Sequence, residues 1–245
     1  MNWYQDEQLW EIFYDSMFDA DSFAVASEQV PKILSMVPAK VNKVLDLACG
    51  PGRHLIPFAQ MGLDVTGVDS SGFLLNRAAH MIESEDLAAT LVHADMLDYE
   101  TTTGFDLVTN LFTSFGYYED PQDNQKLLAQ IHHMLKDSGY LVLDVFGKEN
   151  LLQTMEPVHL TEYDNGDIRV ERPLLTDEMQ VFSNEWILIR GDQAYRKQYQ
   201  HYVYSGVELR QMLKQAGFSS VKLYGSFDAD PYDMESERLI AVAQK

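Results

Sequence analysis

Apolar residues recur along this chain in two rhythms, helical spacing and short unbroken runs, and the two alternate for most of its length. Trp10, Phe13, Tyr14 and Met17 fall on one face within residues 5–18, which predicts an amphipathic helix. A second helix is expected over 24–37, stopping before Pro38. The run KVLDLA at 43–48 then reads as a buried strand, followed by a helix over 52–62 that Gly62 closes. Strands are expected at 64–69, 90–95, 105–111 and 140–146, with helices at 71–84 and 122–136. In the latter, Leu127, Leu128, Ile131, Met134 and Leu135 share a face, and Gly139 marks the stop.

Strand and helix alternating in this way predict an α/β, doubly wound, mostly parallel sheet with helices on both faces. Near-continuous apolar strands suit a sheet covered on both sides. From about 156 to 204 the rhythm changes to strand-like segments, with turn signals at Asn165-Gly166 and Gly191-Asp192. Asn-Gly between apolar-rich runs is a hairpin cue, so an antiparallel β insertion follows the fifth strand, over 155–204. The α/β pattern resumes at Ser205, where Ser205 and Glu208 form a capping-box pair and Val207, Leu209, Met212, Leu213 and Ala216 carry a helix to Gly217. Two last strands are expected near 218–225 and 237–243. The expectation is a single domain over 1–245, with a helical cap at 1–38 and an edge decorated by the insertion.

Charge narrows the function classes. The chain holds 38 acids against 18 bases, a formal net charge of −20, and no clustered Lys/Arg stretch. A nucleic-acid partner would need a basic groove strong enough to overcome that field, so none is expected. No apolar run approaches the roughly 20 residues that span a bilayer, so no membrane partner is expected. The acidic N-terminal stretch lacks the layout of a signal peptide, and Cys49 is the single cysteine, which together suit a cytoplasmic protein.

Residues 44–54, VLDLACGPGRH, carry the first chemistry. Gly50 and Gly52 sit where strand turns to helix and let backbone approach a ligand beside free helix N–H groups. A dinucleotide fingerprint wants Gly or Ala where Leu55 stands, and a P-loop wants Gly-Lys-Ser/Thr where Arg53-His54 follow. Both phosphate readings fail on that detail. Asp46 lies inside the strand, where it would repel a pyrophosphate but could meet a cationic amino group or reach the turn's backbone amides. Asp69 ends the second strand, where an acid in this kind of fold accepts from both ribose hydroxyls. Asp95 ends the third and could receive an adenine amine, with Met96 packed on the ring. Three acids at adjacent strand ends, beside a glycine turn, describe one crevice for a ribose-bearing ligand without phosphate.

On these residues the chain resembles the class I S-adenosylmethionine-dependent methyltransferases. DLACGPG (46–52) resembles their first motif, with Ala48 in the first glycine position. GVDSS (67–71) is similar to the ribose motif, HADMLD (93–98) to the adenine motif, and 105–120 to the fourth strand and the loop facing the methyl group. The resemblance implies a seven-stranded, Rossmann-like sheet whose last strand is antiparallel and lies between strands five and six. It implies S-adenosylmethionine as cofactor, with Asp46, Ala48, Gly50 and Gly52 at the methionine end, and Asp69 and Ser70 at the ribose. Asp95 and Met96 would serve the adenine, and Asn110 and Leu111 the sulfonium side. An N-terminal aromatic often closes such a cofactor, and Tyr14 is the candidate.

A sulfonium methyl is already electrophilic, so alignment and exclusion of water are the protein's main tasks. No catalytic residue is fixed by the sequence; the candidates are Tyr117 and Tyr118 after strand four, and Trp186 and Tyr202 on the insertion. The insertion's aromatics could wall a small-molecule acceptor, or pack the hairpin against the domain or a second subunit in a homodimer. The acids at Asp228, Asp230, Asp233, Glu235 and Glu237 match no calcium-loop spacing, so no metal is expected. His54 is expected to pack. The leading expectation is in-line methyl transfer to a small-molecule nitrogen or oxygen. The alternatives are a protein or RNA methyltransferase, a non-catalytic S-adenosylmethionine-binding protein and, more distantly, an oxidoreductase. Against the macromolecular reading, Asn110-Leu111-Phe112-Thr113 stands where N-P-P-Y would.

Overall fold

In the computed structural model, which describes residues 2–245, seven strands form the central sheet. These are β1 (Lys43–Leu47), β2 (Asp64–Asp69), β3 (Thr90–His93), β4 (Phe105–Asn110), β5 (Leu135–Val145), β10 (Ser220–Tyr224) and β11 (Leu239–Gln244). Their spatial order is β10-β11-β5-β4-β1-β2-β3. β11 pairs antiparallel with both β5 and β10, and the pairs between β1, β2, β3, β4 and β5 are parallel. The order turns back at β1, with β2 on one side and β4 on the other. A crevice opens there, outside the carboxyl ends of the strands. The inner strands are buried on both faces, as their unbroken apolar runs require.

Helices α1 (Glu7–Met17), α2 (Ala20–Met36), α3 (Leu55–Gln60), α4 (Gly72–Ser84), α5 (Pro121–Met134), α6 (Lys148–Thr154) and α7 (Gly206–Gln215) cover the sheet and its ends. α7 carries the expected capping box, with the Ser205 hydroxyl accepting from the Glu208 amide and the Glu208 carboxylate accepting from the Ser205 amide. α5 ends at Met134 rather than 136. Leu135 already pairs with Phe105, and Ser138, at φ +64°, lies in a register shift before Tyr140. α3 is shorter than the expected 52–62, because the glycine turn extends through His54. α6 and a 3₁₀ turn at Trp3–Gln5 have no counterpart in the sequence reading.

The insertion is a separate antiparallel sheet of β6 (His159–Glu162), β7 (Ile168–Thr176), β8 (Val181–Arg190) and β9 (Gln193–Tyr202). Its turns fall at both predicted sites, Asn165-Gly166 and Gly191-Asp192. The sheet does not hang free. Tyr163 Oη and Arg169 Nη1 both donate to the Ser16 carbonyl, one of the end carbonyls of α1 that lack a helical partner. At the other end of α1, Lys197 of β9 pairs with Asp6 at 2.5 Å. α1 is therefore gripped at both ends by the insertion. Position 1 of the expected 1–38 cap lies outside the described residues.

Candidate cofactor cleft and acceptor chamber

The glycine turn builds the floor of the site. Ala48, Gly50 and Gly52 all lie at positive φ, +57°, +55° and +88°. That conformation costs a non-glycine residue about 1 kcal/mol, and Ala48 is the small residue that tolerates it. It aims the Gly50 N–H at Asp69 Oδ2, 2.7 Å away, while the Ser71 N–H donates to Oδ1 at 2.8 Å. Asp69 thus locks the turn and still has lone pairs on its two oxygens. Burial pushes its carboxyl up to about 6. Asp46, also buried, accepts from Thr109 Oγ1 at 2.7 Å, and burial pushes it up to about 7.

These residues line a cleft of about 820 Å³, open mouth included, together with Ala48, Ser70, Asp95, Met96 and Leu111. Eight of the eleven expected cofactor residues are brought together there. Gly52 is not among them: a β-carbon at that position would lie 3.0 Å from Ile56 and 3.2 Å from Ala78, so this glycine serves packing. Asn110 is fully buried beneath the floor, where Nδ2 donates to the Leu47 carbonyl. Tyr14, expected to close the cofactor, is not among the lining residues: its ring packs on Phe18, itself a wall of the cleft, and on Phe73, with the Arg77 guanidinium above it. Tyr4 and Trp10 line the cleft in its stead. Tyr4 Oη donates to Asp95 Oδ2 at 3.0 Å, and Tyr118 Oη to Oδ1 at 2.5 Å, beside the Leu97 N–H at 3.0 Å. Asp95 therefore keeps an open lone pair on Oδ2 for a ligand amine.

Residues that the sequence reading gave no place at the site complete the walls: Met17, Phe18, Arg53, His54, Phe112 and Ser114. His54 is buried and 2.8 Å from Gln29, and burial pushes its ring down to about 3, so it is neutral at neutral pH. Phe112 and Thr113 are consecutive residues at φ +56° and +63°, a strained pair just after β4. Asp144 holds them by accepting the Phe112 N–H on its carboxylate and the Thr113 N–H on its carbonyl, each at 2.9 Å. Arg238 anchors Asp144 in turn, at 2.7 Å.

A second, more open cavity of about 1120 Å³, solvent-filled mouth included, lies between the 3₁₀ turn, the loop after β4 and the ends of β8 and β9. Tyr117, Tyr118 and Tyr202 line it; Tyr117 is also a wall of the first cleft. Trp186 lines neither cavity. It packs against Phe13 and Tyr199 and donates to Glu171 at 3.0 Å, seating the insertion on α1. His201 faces the chamber with a fixed tautomer. Its Nδ1 lies 3.1 Å from the Tyr202 carbonyl, which can only accept, so the lone pair is on Nε2. Burial pushes this ring down to about 4, so it too is neutral at neutral pH.

A crevice at the strand-order reversal, floored by a glycine turn and ringed by Asp46, Asp69 and Asp95, fits the resemblance drawn from the motifs. Residues 44–139 match the family model described as a methyltransferase domain. A glycine/sarcosine N-methyltransferase of Aphanothece halophytica is 28% identical over 83% of this chain and 76% of its own length. The fold matches the CcbJ methyltransferase of Streptomyces caelestis with TM-score 0.80 at 19% identity, over 89% of this chain and 88% of that one. It also matches S-adenosylmethionine-bound CalS10, an amino pentose methyltransferase of Micromonospora echinaspora, with TM-score 0.72 at 20% identity, over 97% and 96% of the two chains. The chain thus carries a methyltransferase domain over residues 44–139, and in sequence and fold it is similar to S-adenosylmethionine-dependent methyltransferases. The residues present fit that cofactor: Asp69 has free lone pairs beside the turn, and the buried Arg53 has open donors in the cleft.

Proposed function

We propose that the protein methylates the nitrogen of a small hydroxylated amine held in the second cavity. One observation carries this reading: Tyr117 lines both cavities, so a group held in the second lies one side chain from the cofactor cleft. The chamber lining supports the acceptor class. It offers aromatic faces at Trp3, Tyr117 and Tyr202, neutral polar groups at Ser183, Gln198 and Gln200, and carboxylates at Glu119 and Asp177. Lys and Arg are absent from it among the described residues, which disfavours an acceptor carrying a carboxylate or phosphate. The relatives are compatible, one being named for N-methylation of glycine and sarcosine and another for methylation of an amino pentose.

S-adenosylmethionine supplies an electrophilic methyl group when bound. The protein's tasks are to orient the nucleophile, exclude water and accept a hydrogen bond from its N–H. His201 Nε2 has no partner among the described residues and is placed for that hydrogen bond. The acidic lining draws an ammonium in, the net charge of −20 favours its approach, and the nitrogen gives its proton to solvent through the open mouth before it attacks. The single buried thiol, Cys49, suits a cytoplasmic setting, which belongs to this proposal. The test is a screen for S-adenosylhomocysteine release across amino sugars, amino alcohols, glycine and phenols. Turnover confined to hydroxylated amines is expected; turnover only with glycine or phenols would overturn the reading.

A further inference from the structure

Phe112 is 50% exposed, so burial does not hold its ring in place, and its backbone lies in the left-handed region together with that of Thr113. An exposed aromatic on costly backbone would swing away if left alone, yet this ring lines the cofactor cleft. Two kinds of contact keep it there. The buried Asp144 accepts the Phe112 N–H, and Arg238 completes the set, donating from Nε to Asp144 Oδ1 at 2.7 Å and from Nη2 to Thr113 Oγ1 at 2.9 Å. The ring also lies between two guanidiniums, with Arg53 3.6 Å from its centroid and Arg238 5.9 Å. The stack runs on in both directions, from Arg53 to the Phe18 ring at 6.0 Å and from Arg238 to the Phe146 ring at 4.0 Å. A row of alternating rings and cations thus ties together the C-cap of α1, the glycine turn, and the residues after β4, before β11 and after β5. Phe18, Arg53 and Phe112 of that row are walls of the cleft.

We propose that Arg238 is a positioning residue for the cofactor: with Asp144, and acting through Phe112, it holds this row closed along the mouth of the cleft and sets how fast the cofactor leaves. The proposal rests on S-adenosylmethionine occupying the cleft. Arg238 is not itself a lining residue, so its influence on a bound ligand passes through the Phe112-Thr113 pair. A guanidinium suits the task because Nε and Nη2 reach two acceptors at a fixed angle while its plane lies on Phe146. An ammonium could keep the charge beside Asp144 but not both bonds and the stack. Without Arg238, Asp144 loses its ion pair, and the left-handed pair loses the contacts that offset its backbone cost. Phe112 would then relax away from Arg53 and open the rim.

The test is stopped-flow release of S-adenosylhomocysteine, followed by the fluorescence of Trp10 in the cleft wall. The proteins are the wild type, Arg238→Met, Arg238→Lys, Phe112→Ala and the Arg238→Met/Phe112→Ala double variant. Release should be about tenfold faster from Arg238→Met and from Phe112→Ala, because changes at a binding site act mostly on the off-rate. Arg238→Lys should recover part of that retention. The double variant should release within about twofold of Phe112→Ala alone, since the arginine acts through that ring. Two independent contributions would multiply instead, to about a hundredfold, and would overturn the positioning role. A lowered melting temperature in Arg238→Met with release at the wild-type rate would assign Arg238 to stability alone and also overturn it. If Arg238→Met does not fold, Phe112→Ala and Arg238→Lys carry the test, and wild-type release from both overturns the proposal. Failure of the wild type to bind S-adenosylhomocysteine at all would overturn the cofactor placement itself, whereas normal binding with unchanged release from the variants overturns only the role of Arg238.

Discussion

The cofactor cleft and the acceptor chamber meet at Tyr117, yet they are built by different means. The cleft is floored by parallel strand ends, where backbone N–H groups, a glycine turn and the buried carboxylates of Asp46 and Asp69 converge. The chamber is walled by side chains of an antiparallel hairpin, and its carboxylates, Glu119 and Asp177, lie in exposed loops. Charge buried on rigid backbone binds one ligand strongly and tolerates little change. Polar and aromatic side chains on a hairpin can be exchanged without disturbing the sheet beneath. On the proposed function, the methyl donor is thus fixed by the fold, and the acceptor by its decoration.

The sharpest break in that comparison comes from Asp69. Asp69→Ala removes the ligand's ribose acceptor and also frees the Gly50 and Ser71 amides that hold the turn. The expected loss is about 3 kcal/mol, more than a hundredfold in S-adenosylhomocysteine affinity. Calorimetry should show it, and affinity within threefold of wild type would show that the turn, not Asp69, carries recognition.

Proton linkage sharpens the same contrast. Asp46 and Asp69 have pKa values pushed up to about 7 and 6, so the ligand-free cleft holds protons near neutral pH. A bound ammonium and ribose hydroxyls favour the carboxylates, so binding releases protons and strengthens as pH rises through 6 to 7, by up to about tenfold per unit for each proton released. The stability sign agrees. Carboxyls raised above their unfolded value stabilise the ligand-free protein at low pH, and that contribution is lost as pH rises through the folded values. The shift in melting temperature caused by S-adenosylhomocysteine should therefore grow from pH 5.5 to 8. His54 and His201, pushed down to about 3 and 4, stay neutral in the folded protein over that range and cancel from the difference. A shift that stays constant with pH would mean that neither carboxyl titrates on binding.

The cleft was the more legible half for the same physical reason. Asp46, Asp69 and Asp95 stand at strand ends, and a doubly wound sheet brings its strand ends together, so their meeting followed from order along the chain. Tyr4 and Tyr14 show the limit. Trp10, Phe13 and Met17 define the inward face of α1, and Tyr14, one position on from Phe13, turns towards α4. Tyr4 reaches the cleft through a 3₁₀ turn that no periodicity announces. Arg53 was read only as a missing P-loop lysine, because a sequence shows a charge but not whether it is buried or paired. On the insertion, the turns at Asn165-Gly166 and Gly191-Asp192 were written in the chain, while alternation could not say that Trp186 would face α1 and Tyr202 the chamber.

The grip on the N-terminal cap gives a smaller effect. Glu7 of α1 accepts from the Gly72 and Phe73 amides at the start of α4, at 2.8 and 3.2 Å, and from the Ser71 hydroxyl. It thereby serves as a cap supplied from another helix. Glu7→Ala should cost about 1 kcal/mol of stability and lower Tm by a few degrees. Bound S-adenosylhomocysteine should leave sooner, since α1 carries Trp10 over the cleft. Stopped-flow release at the wild-type rate would separate the cap from cofactor retention.

The smallest change is expected where the chamber alone is altered. Glu119→Gln and Asp177→Asn each remove one charge from a largely exposed position, where such a charge contributes at most about 1 kcal/mol to attracting an ammonium. The acceptor KM should rise about two- to fivefold in each variant, more at low salt because screening weakens an exposed field. Neither residue belongs to the cleft, so the affinity for S-adenosylhomocysteine should stay at the wild-type value. That split, acceptor KM moved and cofactor affinity untouched, is the reverse of the one expected for Asp69→Ala. If the acceptor KM stays put while cofactor affinity falls, the second cavity is an extension of the cofactor cleft, and the division at Tyr117 fails.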